Sequence, residues 1–211
     1  KNIFIFLLLC SFCEPILMGQ DDLKKTNDLE FEMASLKSGN TNEYFSQNTG
    51  FPETILLDNG NLNVILSFII NKNGTIDSVK IISGSDQQAT IEALSALDKS
   101  DGLWNPTKVN GLPIDKRYLA SFKFVTSKKY FDQKIKTQKL IQKGDYEKAL
   151  KLIDEGLKFH EYDKELYQLR SMIYKKENQI DRINNDLQKI ESINKNLIID
   201  IWLTVIGIPR N

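Results

Sequence analysis

LNVILSFIINKNGTIDSVKIISG, residues 62–84, is the stretch whose reading decides the fold. Leu62, Val64, Leu66, Phe68 and Ile70 alternate with their neighbours, so one face of a period-two strand is apolar. Asn71-Lys72-Asn73-Gly74 follows as a hairpin turn, because Asn and Gly tolerate the positive φ of tight turns. Thr75–Ser83, rich in Ile and Val, is the returning strand. A helix is expected around Thr90–Lys99, with Ile91, Leu94 and Leu97 at helical spacing and Ala89, Ala93 and Ala96 as a small face for close packing. Trp104 reads as a packing anchor, and Pro106 and Pro113 punctuate the loop before a last alternating strand over Arg117–Val125. Three antiparallel strands with one or two helices make a two-layer α+β unit.

These pieces, in this order and spacing, resemble the C-terminal domain of TonB-family energy transducers over about residues 45–125. Phe51-Pro52 stands where that family has Tyr-Pro. LSFIINKNGTIDSVKIISGS matches its strand, glycine turn and return strand, and IEALSAL falls on its helix. WNPTKVNGLPI (residues 104–114) matches its Trp-x-Pro and Gly-x-Pro element, and YLASFKF (residues 118–124) its last strand. The resemblance implies a non-enzymatic periplasmic module that captures an extended peptide of a TonB-dependent outer-membrane receptor. The peptide would add to an open sheet edge, with backbone hydrogen bonds giving affinity and alternate side chains specificity. It assigns that edge to Tyr118, Leu119, Ala120, Ser121 and Phe122, and a second receptor contact to Phe51 and Pro52. A full transducer of that family also has an anchored N-terminus and a long Pro-rich spacer; this sequence has 5 Pro in all.

At the start, Lys1-Asn2 and the run IFIFLLLCSFC have the pattern of a secretory signal, interrupted by Glu14-Pro15 before the roughly 18–20 apolar residues of a membrane helix are reached. A signal peptide over residues 1–19, cleaved after Gly19, and a periplasmic destination are expected; the alternative is an uncleaved inner-membrane anchor. Leu9 and Phe12, each preceding a cysteine, are too large for a lipoprotein site. Both cysteines, Cys10 and Cys13, lie in this segment, which leaves the mature chain without a thiolate nucleophile, a cysteine metal site or a disulfide. Residues 20–44 then form an N-terminal helical or linker segment, and residues 45–127 the TonB-like unit.

Residues 128–211 change character to Lys, Glu, Gln, Leu and Ile. Gly144, Tyr146, Ala149, Ile153, Gly156 and Leu157 are spaced as in a helix-turn-helix and resemble a tetratricopeptide repeat. A poorer second copy is expected from Lys164, with Tyr167 and Tyr174 in one helix and Ile180, Ile183, Leu187 and Ile190 in the next. The resulting expectation is an all-α helical hairpin region. Leu197–Ile208 is too short to span a bilayer and is expected as a capping helix or strand buried against the helices; the alternative is a membrane-surface or partner contact through Trp202.

Basic and acidic side chains number 28 each, so no basic excess points to nucleic acid. Residues 20–127 carry 10 basic against 14 acidic groups, and residues 128–211 carry 17 against 13, giving −4 and +4. The lone His160 is expected as a solvated or capping residue at a helix end, and Asp77, Asp86 and Asp98 have no metal-ligand pattern. No catalytic group, metal site or cofactor is therefore expected, and membrane contact only indirectly or through a partner. The competing reading is a periplasmic scaffold in which the helices recruit another protein.

Overall fold

A computed structural model describes residues 29–53, 55, 61–84, 86–125 and 129–204. The expected signal segment lies outside the described residues. The fold is α+β. β3 (Asn61–Ile70) and β4 (Ile76–Gly84) form the expected antiparallel hairpin. The turn closes through Gly74 N–H donating to the Asn71 carbonyl at 2.8 Å and Asn71 N–H to the Thr75 carbonyl at 2.8 Å. Gly74 has φ +83°, and a Cβ there would stand 2.2 Å from the Trp104 carbonyl oxygen. Gly74→Ala meets both obstacles at once, a left-handed backbone and a backbone clash, so it should cost more than about 1 kcal/mol. Urea denaturation of the variant beside the parent measures it.

β8 (Lys116–Val125) pairs antiparallel with β3 in unbroken register, from Asn61↔Val125 to Ile70↔Lys116. One face of this sheet, with Val64, Leu66, Phe68, Ile70, Tyr118, Ala120, Phe122 and Phe124, is buried. Two helices cover it: α1 (Thr41–Asn48), capped by Asn40, and α2 (Gln87–Asp98), capped by Asp86. The α2 packing face is the small one: Ala89, Ala93 and Ala96 are fully buried, whereas Ile91 is 54% exposed. The alanines let the helix lie close on the sheet, and that approach turns the expected Ile91–Leu94–Leu97 stripe partly outward. Only Leu97 of the stripe is buried.

Short strands frame the rest of the core, and they replace the helical or linker segment expected before residue 41. β1 (Phe31–Glu32) pairs with β6 (Thr107–Val109), which pairs with β7 (Leu112–Ile114). β2 (Ser35–Leu36) pairs with β5 (Trp104–Asn105) and so seats Trp104 beneath the sheet.

Four helices follow: α3 (Lys129–Gln142), α4 (Tyr146–Phe159), α5 (Lys164–Lys176) and α6 (Ile180–Asn196). Asp145 and Asp163 cap α4 and α5 by accepting from Lys148 N–H and Leu166 N–H. Ala149, Ile153, Leu157, Leu166, Tyr167, Leu169, Ile173 and Ile193 form a second core. A Cβ on Gly156 would lie 2.6 Å from Leu166 Cδ1, so a small residue is needed where α4 meets α5. The apolar face of α6 is only partly the one read from sequence: Ile183 and Ile190 are half-buried, with Ile190 packed on this core beside buried Ile193, whereas Ile180 and Leu187 are 67% and 52% exposed.

The chain then departs from an all-α ending. β9 (Leu197–Thr204) is a strand, and it joins the sheet parallel to β8, giving the order β4-β3-β8-β9. The sheet is thus four-stranded, not three-stranded. A parallel neighbour needs a long crossover, and the four helices provide it. Ile199, Ile201 and Leu203 point into the sheet core rather than into the helical hairpins, while Trp202 turns toward the helices.

Candidate functional site

The residues assigned to a receptor peptide fall into two groups. Tyr118, Ala120 and Phe122 have core-facing, fully buried side chains, which are closed to a partner. Tyr118 is further tied down: its hydroxyl oxygen accepts from Ala34 N–H at 3.1 Å and lies 2.6 Å from Thr107 Oγ1. Leu119 and Ser121 face the other side of the sheet. Phe51 is half-buried, edge-on to Phe124 with centroids 5.9 Å apart, and Pro52 is buried. Phe51–Pro52 packs mainly inward, with Phe51 alone partly open.

The expectation that β8 is an open edge is corrected by the structure. Its outer side is taken by β9, with partners Leu119↔Leu197, Ala120↔Ile199, Ser121↔Asp200, Phe122↔Ile201 and onward to Val125↔Thr204. Sequence reasoning missed this because β9 pairs with β8 across the whole helical region. The alternation Ile199, Ile201, Leu203 was the available signal. The outer side of β9 is in turn met by α1, where Asn42 Oδ1 accepts from Asp200 N–H at 3.1 Å. Among the described residues β4 carries no strand on its outer side. It is bulged, with Ser78 at φ +50°, and Val79, Ile81 and Ile82 are exposed. Between β4 and α2 lies a groove of about 510 Å³ lined by Ile76, Val79, Ile91, Leu94, Asp98 and Asp101.

On the face of the sheet away from α1 and α2, a polar cluster joins strands to helices. The Lys123 side chain is fully buried. Its ammonium donates to Asp200 Oδ1, lies 3.3 Å from His160 Nε2, and sits 4.5 Å over the Trp202 ring. An ammonium has no acceptor, so His160 Nε2 must accept, which assigns the imidazole proton to Nδ1. That atom faces Asp163 Oδ2 at 3.7 Å. Asp163 also pairs with Lys134 at 2.9 Å, and Lys134 with Glu165 at 2.6 Å. Asn63 Nδ2 donates to the Phe159 carbonyl at 3.1 Å, and Ser121 Oγ lies 3.4 Å from His160 Nε2. Burial pushes the Lys123 ammonium below the ordinary lysine range, with Asp200 pulling the other way. His160 is buried, not solvated, although it does stand at the C-cap of α4.

Burial also holds the His160 pKa below 6.5, reinforced by Lys123 and opposed by the Asp163 and Asp200 carboxylates. The unfolded chain therefore binds this proton more readily than the native one. Stability is fully present above about pH 6.5 and is lost as pH falls below it toward the depressed native value. The urea midpoint should drop between pH 7.5 and 5.5, and His160→Gln should flatten that drop. An unchanged slope in the variant would contradict the neutral, buried assignment.

Residues 52–126 match the family of Gram-negative bacterial TonB protein C-terminal domains. The matched segment covers α2, β3, β4 and β8 and ends before α3; β9 and the four helices lie beyond it. No curated protein matches the chain. The family match supports a TonB-like role in transport energy transduction in general terms, with outer-membrane receptors as the general class of partner. No helix among the described residues is long and apolar enough to cross a membrane.

Proposed function

We propose that this chain is a non-enzymatic, periplasmic TonB-like binding protein that pairs an extended segment of an outer-membrane receptor with the backbone edge of β8. The observation that carries the reading is the coincidence of the TonB-like match with a β8 edge that takes an extended strand, here the chain's own β9, from Leu119 to Val125. Backbone groups supply the pairing. The inward side chains Tyr118, Ala120 and Phe122 hold the strand in place and are not themselves contacts. Phe51 adds a partly open aromatic surface beside Phe124.

The reading is tested by placing a photoreactive amino acid at Leu119, at the beginning of the shared edge, and irradiating intact Gram-negative cells that express the full chain. Capture of a TonB-dependent outer-membrane receptor is the expected result. Capture of soluble periplasmic proteins alone would instead favour the scaffold, whose surface would be the two helical hairpins.

A further inference from the structure

At the β8 edge a segment C-terminal to the TonB-like match joins the sheet of the matched unit. β3 and β8 are in complete register without β9. β9 is therefore an added strand on a sheet whose three other members pair without it. Its two faces differ. Ile199, Ile201 and Leu203 fill the core, whereas Asp200 and Trp202 meet Lys123. Lys123 belongs to β8 and stays with the sheet whichever strand lies beside it. Its side chain is fully buried; Asp200 on β9 is bonded to it, and the Asp163 carboxylate also acts on its charge. Any strand replacing β9 without a carboxylate at that position would take the bonded carboxylate away from a buried ammonium, which is disfavoured.

We propose that β9 is a resident, displaceable occupant of the β8 edge, and that the partner replacing it is an extended segment parallel to β8 with alternate apolar residues and a carboxylate against Lys123. This rests on the reading of β8 as the partner edge and specifies the partner's chemistry. The edge is closed until the incoming strand outcompetes β9. Selectivity comes from the Lys123 ammonium, because backbone pairing and apolar alternation are common to many strands. Parallel pairing is slightly weaker per residue than antiparallel pairing, which makes β9 the strand most readily exchanged.

The probe is a synthetic peptide of residues 197–204, LIIDIWLT, flanked by lysines for solubility and labelled with a fluorophore. It is titrated into the full parent chain and into the full-length Asp200→Lys variant. The variant's own β9 sets lysine against Lys123, so the peptide should bind it at least tenfold more tightly than it binds the parent. A peptide with Asn in place of the aspartate should lose at least tenfold. In the parent, hydrogen exchange at Ile199, Ile201 and Leu203 should run at least tenfold faster than at Leu66 and Phe68.

Equal protection of β9 and β3, or no peptide binding to a folded variant, overturns the proposal. If Asp200→Lys does not fold, the milder Asp200→Asn and the exchange rates of the parent decide. The Leu119 crosslink separates the two readings. Strand exchange without receptor capture would leave the edge displaceable and remove the receptor. Receptor capture with a protected β9 and no peptide binding would do the reverse.

Discussion

Trp104→Ala should destabilise the protein by roughly 3–5 kcal/mol, the range for removing a large aromatic side chain from a packed core. The ring is 0% exposed and packs between Phe45 and Phe68, with centroids 6.1 and 6.3 Å away. Its Nε1–H donates to Ser100 Oγ at 3.2 Å, and Ser100 Oγ donates to the Leu97 carbonyl at 2.6 Å, so the indole also holds the end of α2. Deletion leaves a cavity where β5, α1, α2 and β3 meet, and none of these can collapse into it without giving up its own pairing. Urea denaturation with tryptophan-independent detection, far-ultraviolet circular dichroism, gives the number. A loss below about 1 kcal/mol would mean that the ring is not a core member.

Arg170→Met should cost about as much, roughly 3–5 kcal/mol, through a different cause. The Asp186 side chain is 3% exposed, and Arg170 Nη2 meets its Oδ1 at 2.7 Å while Nε lies 3.2 Å from Oδ2. Arg170 Nη1 also reaches Asp154 at 2.9 Å, so one guanidinium ties α4, α5 and α6 together. These two carboxylates hold the guanidinium pKa above its ordinary value. Removing the arginine strands a buried carboxylate, which is dearer than the lost attraction alone. The pair Arg170→Met with Asp186→Leu should therefore recover much of the loss. Should the double variant be as unstable as the single one, the stranded charge is not the cause.

Much of the TonB-like unit was legible in the sequence because its signals are local. A period-two run, an Asn-Gly turn and a short helix each follow from neighbours within a few residues. The strands β3, β4 and β8 stand close to where their alternation placed them. Which face of α2 packs was less legible, because spacing alone cannot distinguish a stripe of large residues from a stripe of alanines. The alanines won because they permit the closer approach to the sheet. His160 was misread for a similar reason: its burial depends on Lys123 and Asp200, which come from two distant parts of the chain.

Sequence alone thus determined the hairpin, the third strand, the helical hairpins and the anchoring role of Trp104. It did so through periodicity and turn chemistry, which act over short separations. Only the tertiary structure decided that Leu197–Thr204 lies along β8, that the expected peptide edge is already occupied, and that a buried lysine waits beneath it. Parallel pairing is a long-range choice. It depends on where four intervening helices deliver the chain and on whether Asp200 arrives opposite Lys123, and neither condition is written in the residues next to either strand.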